Sequence, residues 1–180
     1  MYKRQLQDGE TVDLGGQATI EVVATPGHTP DNLSFFLPHT GAAVTAEAVG
    51  IIPGEEFWVA PQFLSSYEDY LESIDRIRRR RPKLLALGHH RVVTAMDIDR
   101  FFQAAIADCR QYRDIVEQYL QEAQMREEAV VRRIVEQQVR TGRRGGQPEE
   151  AFRLNLQVQV KVIARQLRRK REDSGVGFSG

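Results

Sequence analysis

The stretch that decides the fold is ATPGHTPDN, residues 24–32, in which a tight turn follows an apolar run and carries His28. Glu47 and His89 each follow another apolar run, in separate parts of the sequence. Imidazole nitrogen and carboxylate oxygen are good ligands for zinc. Three such side chains at the ends of predicted strands therefore predict one edge of a metal site.

The order of these motifs resembles the second half of the metallo-β-lactamase-fold hydrolase superfamily. The resemblance runs from about Gly9 to about Phe102 and rests on TPGHTP at 25–30, a strand ending in an acidic residue, a helix, a strand and Gly88-His89. It implies a four-layer αββα sandwich with two metal ions at the sheet edges. Zinc is the usual metal, and iron or manganese remain open.

By position, His28 resembles the family's later metal histidine, Glu47 its metal-bridging aspartate and His89 its last histidine. Glu47 departs from the pattern, because most relatives have Gly-Asp where this chain has Ala46-Glu47. A glutamate is one methylene longer, so it could bridge two metals differently, bind one or bind none. The family's His-x-His-x-Asp-His motif has no counterpart here, so the catalytic residues are unknown and the general base is expected outside this chain.

The first residues suggest a reason for the missing motif. Residues 1–5, MYKRQ, resemble the translation of a transposase adapter used in sequencing libraries, with GTG read as a start codon. We therefore expect the natural protein to begin near Leu6 within a longer reading frame. A fragment that holds half of a two-metal site is expected to be inactive and prone to aggregate, whereas its parent is expected to be a hydrolase.

Length and composition set the domain organisation. The chain has 180 residues, 41% of them apolar, and zero net charge, which allows one domain and a helical appendage. We expect residues 6–102 to form the C-terminal half of the sandwich, 103–171 a helical extension and 172–180 a disordered tail. No apolar run is long enough for a membrane span. The single Cys109 fits a reducing compartment, so we expect a cytoplasmic protein of α+β class.

Hydrophobic periodicity and turn residues predict the individual elements. Ser65 and Glu68 have capping-box spacing at the start of a helix that Pro82 ends. The segment from Pro148 is ambiguous, because residues 152–162 alternate as a strand would, while Leu156 and Val160 also share a helical face; we favour the helix. The other predictions are strands at 11–14, 18–23, 32–37, 42–45 and 83–87, and helices at 98–124 and 127–140.

Three residues are candidates for supporting roles. Asp31 could accept a hydrogen bond from an imidazole N–H and so orient a ligand, or it could cap the turn. Trp58 lies on a loop rich in aromatic residues, which could line a substrate pocket or cover the core. His90 could replace His89 as the ligand, lie in the pocket or face solvent.

Three functions are compatible with these features. The first is a metal-dependent hydrolase, in which metal-activated water attacks an ester, thioester, lactone or related bond of a small molecule. The second is a non-catalytic interaction protein, such as a homodimer, that uses the amphipathic helices after Ile98. The third is a nucleic-acid-processing enzyme, favoured only by the basic run at 168–171, which also suits a solvated helix end. We expect no membrane partner and consider nucleic acid the weaker substrate.

Overall fold

The structure, a computed structural model, describes residues 5–89, 91–94, 96–141 and 148–173. The chain divides into two compact units, and the boundary between Cys109 and Arg110 falls within a helix. The elements of the described ranges are β1 (Thr11–Gly15), β2 (Ala18–Ala24), β3 (Leu33–Leu37), β4 (Ala42–Ala46), α1 (Tyr67–Arg79), β5 (Leu84–Leu87), β6 (Val92–Thr94), α2 (Ile98–Glu122), α3 (Glu127–Thr141) and α4 (Glu149–Asp173).

The first unit is built on one mixed sheet, whose six strands follow chain order from β1 to β6. Neighbouring strands are antiparallel except β4 and β5, which are parallel. The parallel pair needs a crossover connection, and α1 lies between these strands in the sequence. The five predicted strands are confirmed within a residue or two, whereas β6 escapes prediction because three residues carry too little periodicity to detect.

One face of the sheet forms the core. Ala43, Leu85 and Val93 lie opposite one another in register and are buried. Glu21 lies on the same face of the sheet, because it pairs with Phe36, which in turn pairs with Ala43. Arg80, at the end of α1, forms an ion pair with Glu21. This ion pair shows that α1 lies over that face. The large buried side chains of the unit include Phe63, Tyr70, Ile74, Ile77, Phe101 and Phe102.

The other face of the sheet is also apolar, but it is partly exposed. Phe35, Val44, Ala86 and Val92 lie side by side across four strands. Val44 is 44% exposed and Val92 is 58% exposed. A contiguous apolar patch of this kind usually marks a surface that associates with something else.

The second unit holds the end of α2 together with α3 and α4, and it resolves the ambiguous segment as a helix. The helices α3 and α4 are in contact, and the residues buried on them include Val130 and Ile134 on α3 and Leu156, Val160 and Ile163 on α4. Arg168 on α4 bonds to Glu127 on α3 at 2.8 Å. None of the described helices combines the length and the apolar composition needed to cross a membrane.

The helix α4 continues to Asp173, two residues into the segment predicted to be disordered. The remainder of that segment, residues 174–180, lies outside the described residues, as do residues 1–4. The domain boundary placed after Phe102 stays a prediction.

Candidate metal centre

The loop that carries His28 rests on the start of α1 through a glycine. Gly27 has φ of +121°, and a Cβ at this position would lie 2.6 Å from the Cβ of Tyr70 and closer still to its Cα. The carbonyl of Gly27 accepts hydrogen bonds from the N–H groups of Leu64 and Ser65, each at 3.0 Å. Only glycine permits this close approach of two backbones, so the position of His28 is set by main-chain contacts.

The two serines at this junction differ in role from the sequence expectation. Capping-box spacing predicts Ser65 as the cap of α1, but the side chain that accepts from the helix, at the N–H of Asp69, belongs to Ser66. The hydroxyl of Ser65 instead donates to the carbonyl of Gly27 at 3.0 Å. Ser66 thus caps the helix, and the adjacent Ser65 holds the loop. The spacing of the residues alone does not show which serine has which role.

Further hydrogen bonds close the loop on itself and on α1. The N–H of Thr25 donates to the carbonyl of Asn32 at 2.9 Å, and the Asn32 amide donates to the Thr25 hydroxyl at 2.9 Å. The Ser73 hydroxyl donates to the carbonyl of Pro26 at 2.7 Å. The loop is therefore held at both ends and in the middle, which restricts where His28 can point.

Glu47 and His89 reach the same place from the ends of parallel strands. Glu47 directly follows β4, and His89 lies two residues after β5. Ala46 has φ of +46° at an irregularity in the strand pairing, and a Cβ on Gly88 would lie 2.9 Å from its carbonyl carbon. The chain turns sharply at Ala46, and the absence of a side chain on Gly88 leaves room for this turn.

The three predicted metal ligands lie together. Glu47 Oε2 is 2.5 Å from His28 Nε2, and Glu47 Oε1 is 2.7 Å from His89 Nε2. Each carboxylate oxygen of Glu47 thus contacts the Nε2 atom of a different histidine. The side chains of His28, Glu47 and His89 are 14%, 24% and 54% exposed, so the cluster opens to solvent on the His89 side.

The second ring nitrogen of His28 contacts the main chain of a residue that the sequence did not single out. His28 Nδ1 lies 2.5 Å from the carbonyl oxygen of Gln62, to which an Nδ1–H can donate. The N–H of Gln62 in turn donates to the Tyr70 hydroxyl at 3.1 Å. Donation from Nδ1 leaves Nε2 as the nitrogen that can bind a metal, an arrangement common to metal-bound histidines.

The contact between His28 and Glu47 changes the proton affinity of both groups. The hydrogen bond to Glu47 raises the pKa of His28, although burial works against it. The hydrogen bond to His28 lowers the pKa of Glu47, again against burial. Without a metal, the pair is therefore favoured as an imidazolium and a carboxylate.

The donor chemistry of this cluster fits a metal, although its donor atoms face one another. Two imidazoles and a carboxylate form a ligand set that catalytic zinc sites use. Across the part of the chain that the structure describes, no group of three or more His, Cys, Asp or Glu side chains surrounds a common metal position. The oxygens of Glu47 contact the same Nε2 atoms of His28 and His89 that a metal would bind.

The supporting candidates are placed differently. Asp31 accepts a hydrogen bond from the hydroxyl of Thr29 at 2.9 Å, and both ring nitrogens of His28 face other partners. Trp58 is half-buried on the loop at 50–62. His90 lies outside the described residues.

The loop at 50–62 begins and ends beside the cluster and is anchored along its length. The N–H of Gly50 donates to the carbonyl of Glu47, and the carbonyl oxygen of Gln62 contacts His28 Nδ1. Arg91 donates to the carbonyl of Gly54 at 2.7 Å, and the guanidinium of Arg100 lies 4.0 Å from the centroid of the Phe57 ring. This anchored loop is the element best placed to form a wall of the site.

A cavity of about 390 Å³ lies elsewhere, at the opposite end of β5. It is lined by Arg78, Arg81 and Lys83 among others and includes none of the three predicted ligands. The cations at the end of α1 are explained by the helix dipole. Because the cavity holds none of the predicted ligands, the histidine cluster remains the candidate site.

Comparison with known proteins bears on the segment that contains the cluster. Residues 3–89 match the family model of the metallo-beta-lactamase superfamily. This segment belongs to that superfamily. The match includes His28, Glu47 and His89, and the mixed sheet with its helical C-terminal part confirms the predicted α+β fold.

Solved structures of the metallo-beta-lactamase superfamily are similar to the chain. A family protein from Thermus thermophilus is 19% identical, with a TM-score of 0.58 over 100% of this chain and 52% of that one. An archaeal superfamily protein from Sulfolobus tokodaii is 21% identical, with a TM-score of 0.49 over 58% of this chain and 38% of that one. A flavo di-iron protein from Thermotoga maritima is 21% identical, with a TM-score of 0.44 over 58% of this chain and 30% of that one. This chain spans about half or less of the length of each.

Proposed function

We propose that this chain supplies part of the metal site of a metal-dependent hydrolase. The observation that carries the proposal is the convergence of His28, Glu47 and His89 at one edge of the sheet, with Glu47 in contact with both rings. Membership of the metallo-beta-lactamase superfamily over residues 3–89 supports it. No contact among the described residues favours the interaction-protein alternative over this one.

His28 and His89 would hold the metal through Nε2 and Glu47 through its carboxylate. A bound zinc, iron or manganese ion would supply a water with a pKa lowered to about 7 and would polarise the oxygen of the bond to be cleaved. The carbonyl of Gln62 would keep His28 in the tautomer that leaves Nε2 available. For the complete protein we propose two metal ions, of which these three residues hold only a share.

A small molecule with an ester, thioester, lactone or related bond is the proposed substrate class. The loop at 50–62, whose two ends contact Glu47 and His28, carries Phe57 and Trp58, and Arg91 and Arg100 contact this loop at Gly54 and Phe57. Fixed aromatic side chains suit an apolar substrate body.

The test is metal content by elemental mass spectrometry, measured on this chain and on a parent protein that carries the upstream His-x-His-x-Asp-His motif. The parent should hold about two ions, and His28→Ala should lower this number. His39→Ala, in the exposed turn between β3 and β4, is the matched control and should leave it unchanged. A parent without metal, or equal loss in both variants, would contradict the proposal.

A further inference from the structure

Tyr70 is a fully buried polar residue whose hydroxyl lies close to the metal cluster. Its side chain has 0% exposure and its ring packs against Phe63 with centroids 6.0 Å apart. Burial raises the pKa of the Tyr70 hydroxyl well above its ordinary value, so the group remains neutral. A buried hydroxyl needs a hydrogen-bond partner, because water cannot replace one.

That partner is the main chain of Gln62. The N–H of Gln62 donates to the Tyr70 hydroxyl at 3.1 Å, while the carbonyl of Gln62 contacts His28 Nδ1 at 2.5 Å. Gln62 is only 7% exposed, so there is little room for water to take over either contact. One residue therefore connects the Tyr70 hydroxyl to the ring of His28.

Tyr70 also limits where the backbone of His28 can lie. Gly27, the residue before His28, packs against the backbone of Tyr70 so closely that no Cβ fits between them. Tyr70 thus fixes the main chain at the start of His28 through Gly27, and it fixes the carbonyl that faces the His28 ring through Gln62. Two fixed points determine the direction in which Nε2 faces.

We propose that Tyr70 is a positioning residue for His28, acting through the main chain of Gln62. This inference rests on the proposed function in so far as the purpose of the positioning is metal binding. Loss of the hydroxyl removes the anchor of Gln62, and the ring of His28 then loses its fixed acceptor. Outer partners of metal-bound histidines typically change metal affinity about 10-fold to 100-fold when removed.

The experiment compares Tyr70→Phe with Tyr67→Phe in the full chain. Tyr67 is a matched control, since it is buried on the same helix and packs on the same Phe63 ring at 5.5 Å. The first measurement is the NMR signal of the His28 Nδ1 proton in the metal-free protein at one pH below the pKa of His28. The second is zinc affinity by competition with a chelator.

In Tyr70→Phe the His28 Nδ1 proton should exchange with water faster, and zinc affinity should fall by about 10-fold or more. In Tyr67→Phe both should match the wild type. Unchanged proton exchange and zinc affinity in Tyr70→Phe, or equal effects in both variants, would overturn the inference.

A second variant keeps the test decisive if Tyr70→Phe does not fold. Gln62→Pro removes the N–H that Tyr70 accepts and leaves Tyr70 in the core. A folded Gln62→Pro protein should show the same two losses, and wild-type behaviour would overturn the inference. If the wild-type chain binds no zinc by itself, the proton-exchange comparison alone decides whether Tyr70 positions His28, and the metal content of the parent protein decides the proposed function.

Discussion

Asp8 and Arg76 form an ion pair at 2.7 Å across 68 residues of sequence, and together they hold the main chain of Ala24. Asp8 Oδ1 accepts from the N–H of Ala24 at 2.7 Å, and Arg76 Nη1 donates to the carbonyl of Ala24 at 2.7 Å. Ala24 ends β2, four residues before His28. The pair therefore joins the start of the metal loop to α1.

Asp8→Asn should lower stability at neutral pH but have less effect in acid. The hydrogen bond from Ala24, followed by that from Arg76, lowers the pKa of Asp8 in the folded state. Its ionised form therefore stabilises the fold at a pH above about 3.9, the ordinary value, and this contribution is lost as the pH falls through the folded pKa. Since the pair is partly exposed, we expect less than about 1 kcal/mol.

Denaturant melts at about pH 7 and about pH 3 measure this effect. Asp13→Asn is the control, because Asp13 bonds to the N–H of Gly15 within its own turn. An equal loss at both pH values in Asp8→Asn would contradict the assignment.

Ala46→Gly should stabilise the fold. Ala46 has a left-handed φ of +46°, which costs an alanine about 1 kcal/mol more than a glycine. The greater freedom of glycine in the unfolded chain offsets part of this gain. Thermal melting should show a higher Tm for Ala46→Gly and a lower one for Ala43→Gly, which removes a buried side chain from the same strand. A lower Tm in both would show that Ala46 is not strained.

Glu47→Asp should weaken metal binding, although aspartate is equally charged. The two oxygens of Glu47 reach the Nε2 atoms of His28 and His89 at once, so they can also reach a metal bound between these rings. A side chain one methylene shorter would reach that metal less well. We expect zinc affinity, measured by chelator competition, to fall about 10-fold or more. Glu55→Asp, in an exposed position of the neighbouring loop, should have no effect. Tighter binding by Glu47→Asp would show that the longer side chain is not matched to the two rings.

Metal binding should weaken as the pH falls. Glu47 raises the pKa of His28, and the proton on His28 Nε2 competes with the metal for the same nitrogen. The imidazolium form stabilises the metal-free chain at a pH below about 6.5, and this stabilisation is lost as the pH rises through the folded pKa. The rise in Tm on adding zinc should therefore be larger at about pH 8 than at about pH 6. A rise that does not depend on pH would exclude His28 as a ligand.

The exposed sheet face should make the chain associate with itself. Val44 and Val92 flank Ala86 on this face and are largely exposed. Light scattering should show aggregates that grow with concentration, and Val44→Lys with Val92→Lys should reduce them. Leu154→Lys is the control, because Leu154 is 60% exposed on α4. Equal improvement in the control would indicate a general effect of added charge.

The sequence by itself determined five of the six described strands and the helices α1, α2 and α3, and it predicted the three side chains that form the cluster. Each depends on near neighbours, such as the apolar run in β2, the helical spacing in α1 and the turn residues around His28. These local patterns constrain the backbone directly, so they can be read without a tertiary structure.

Only the tertiary structure decided how the cluster is held. The contact between His28 and Gln62 joins residues 34 apart and uses a main-chain carbonyl, a group that every residue type carries. Tyr70 has the same sequence signature as any apolar residue on its helix face, and its hydroxyl acquires a role only where Gln62 packs against it. The division of the Glu47 oxygens between two rings likewise depends on the ends of β4 and β5 meeting at one edge of the sheet, which no local pattern specifies.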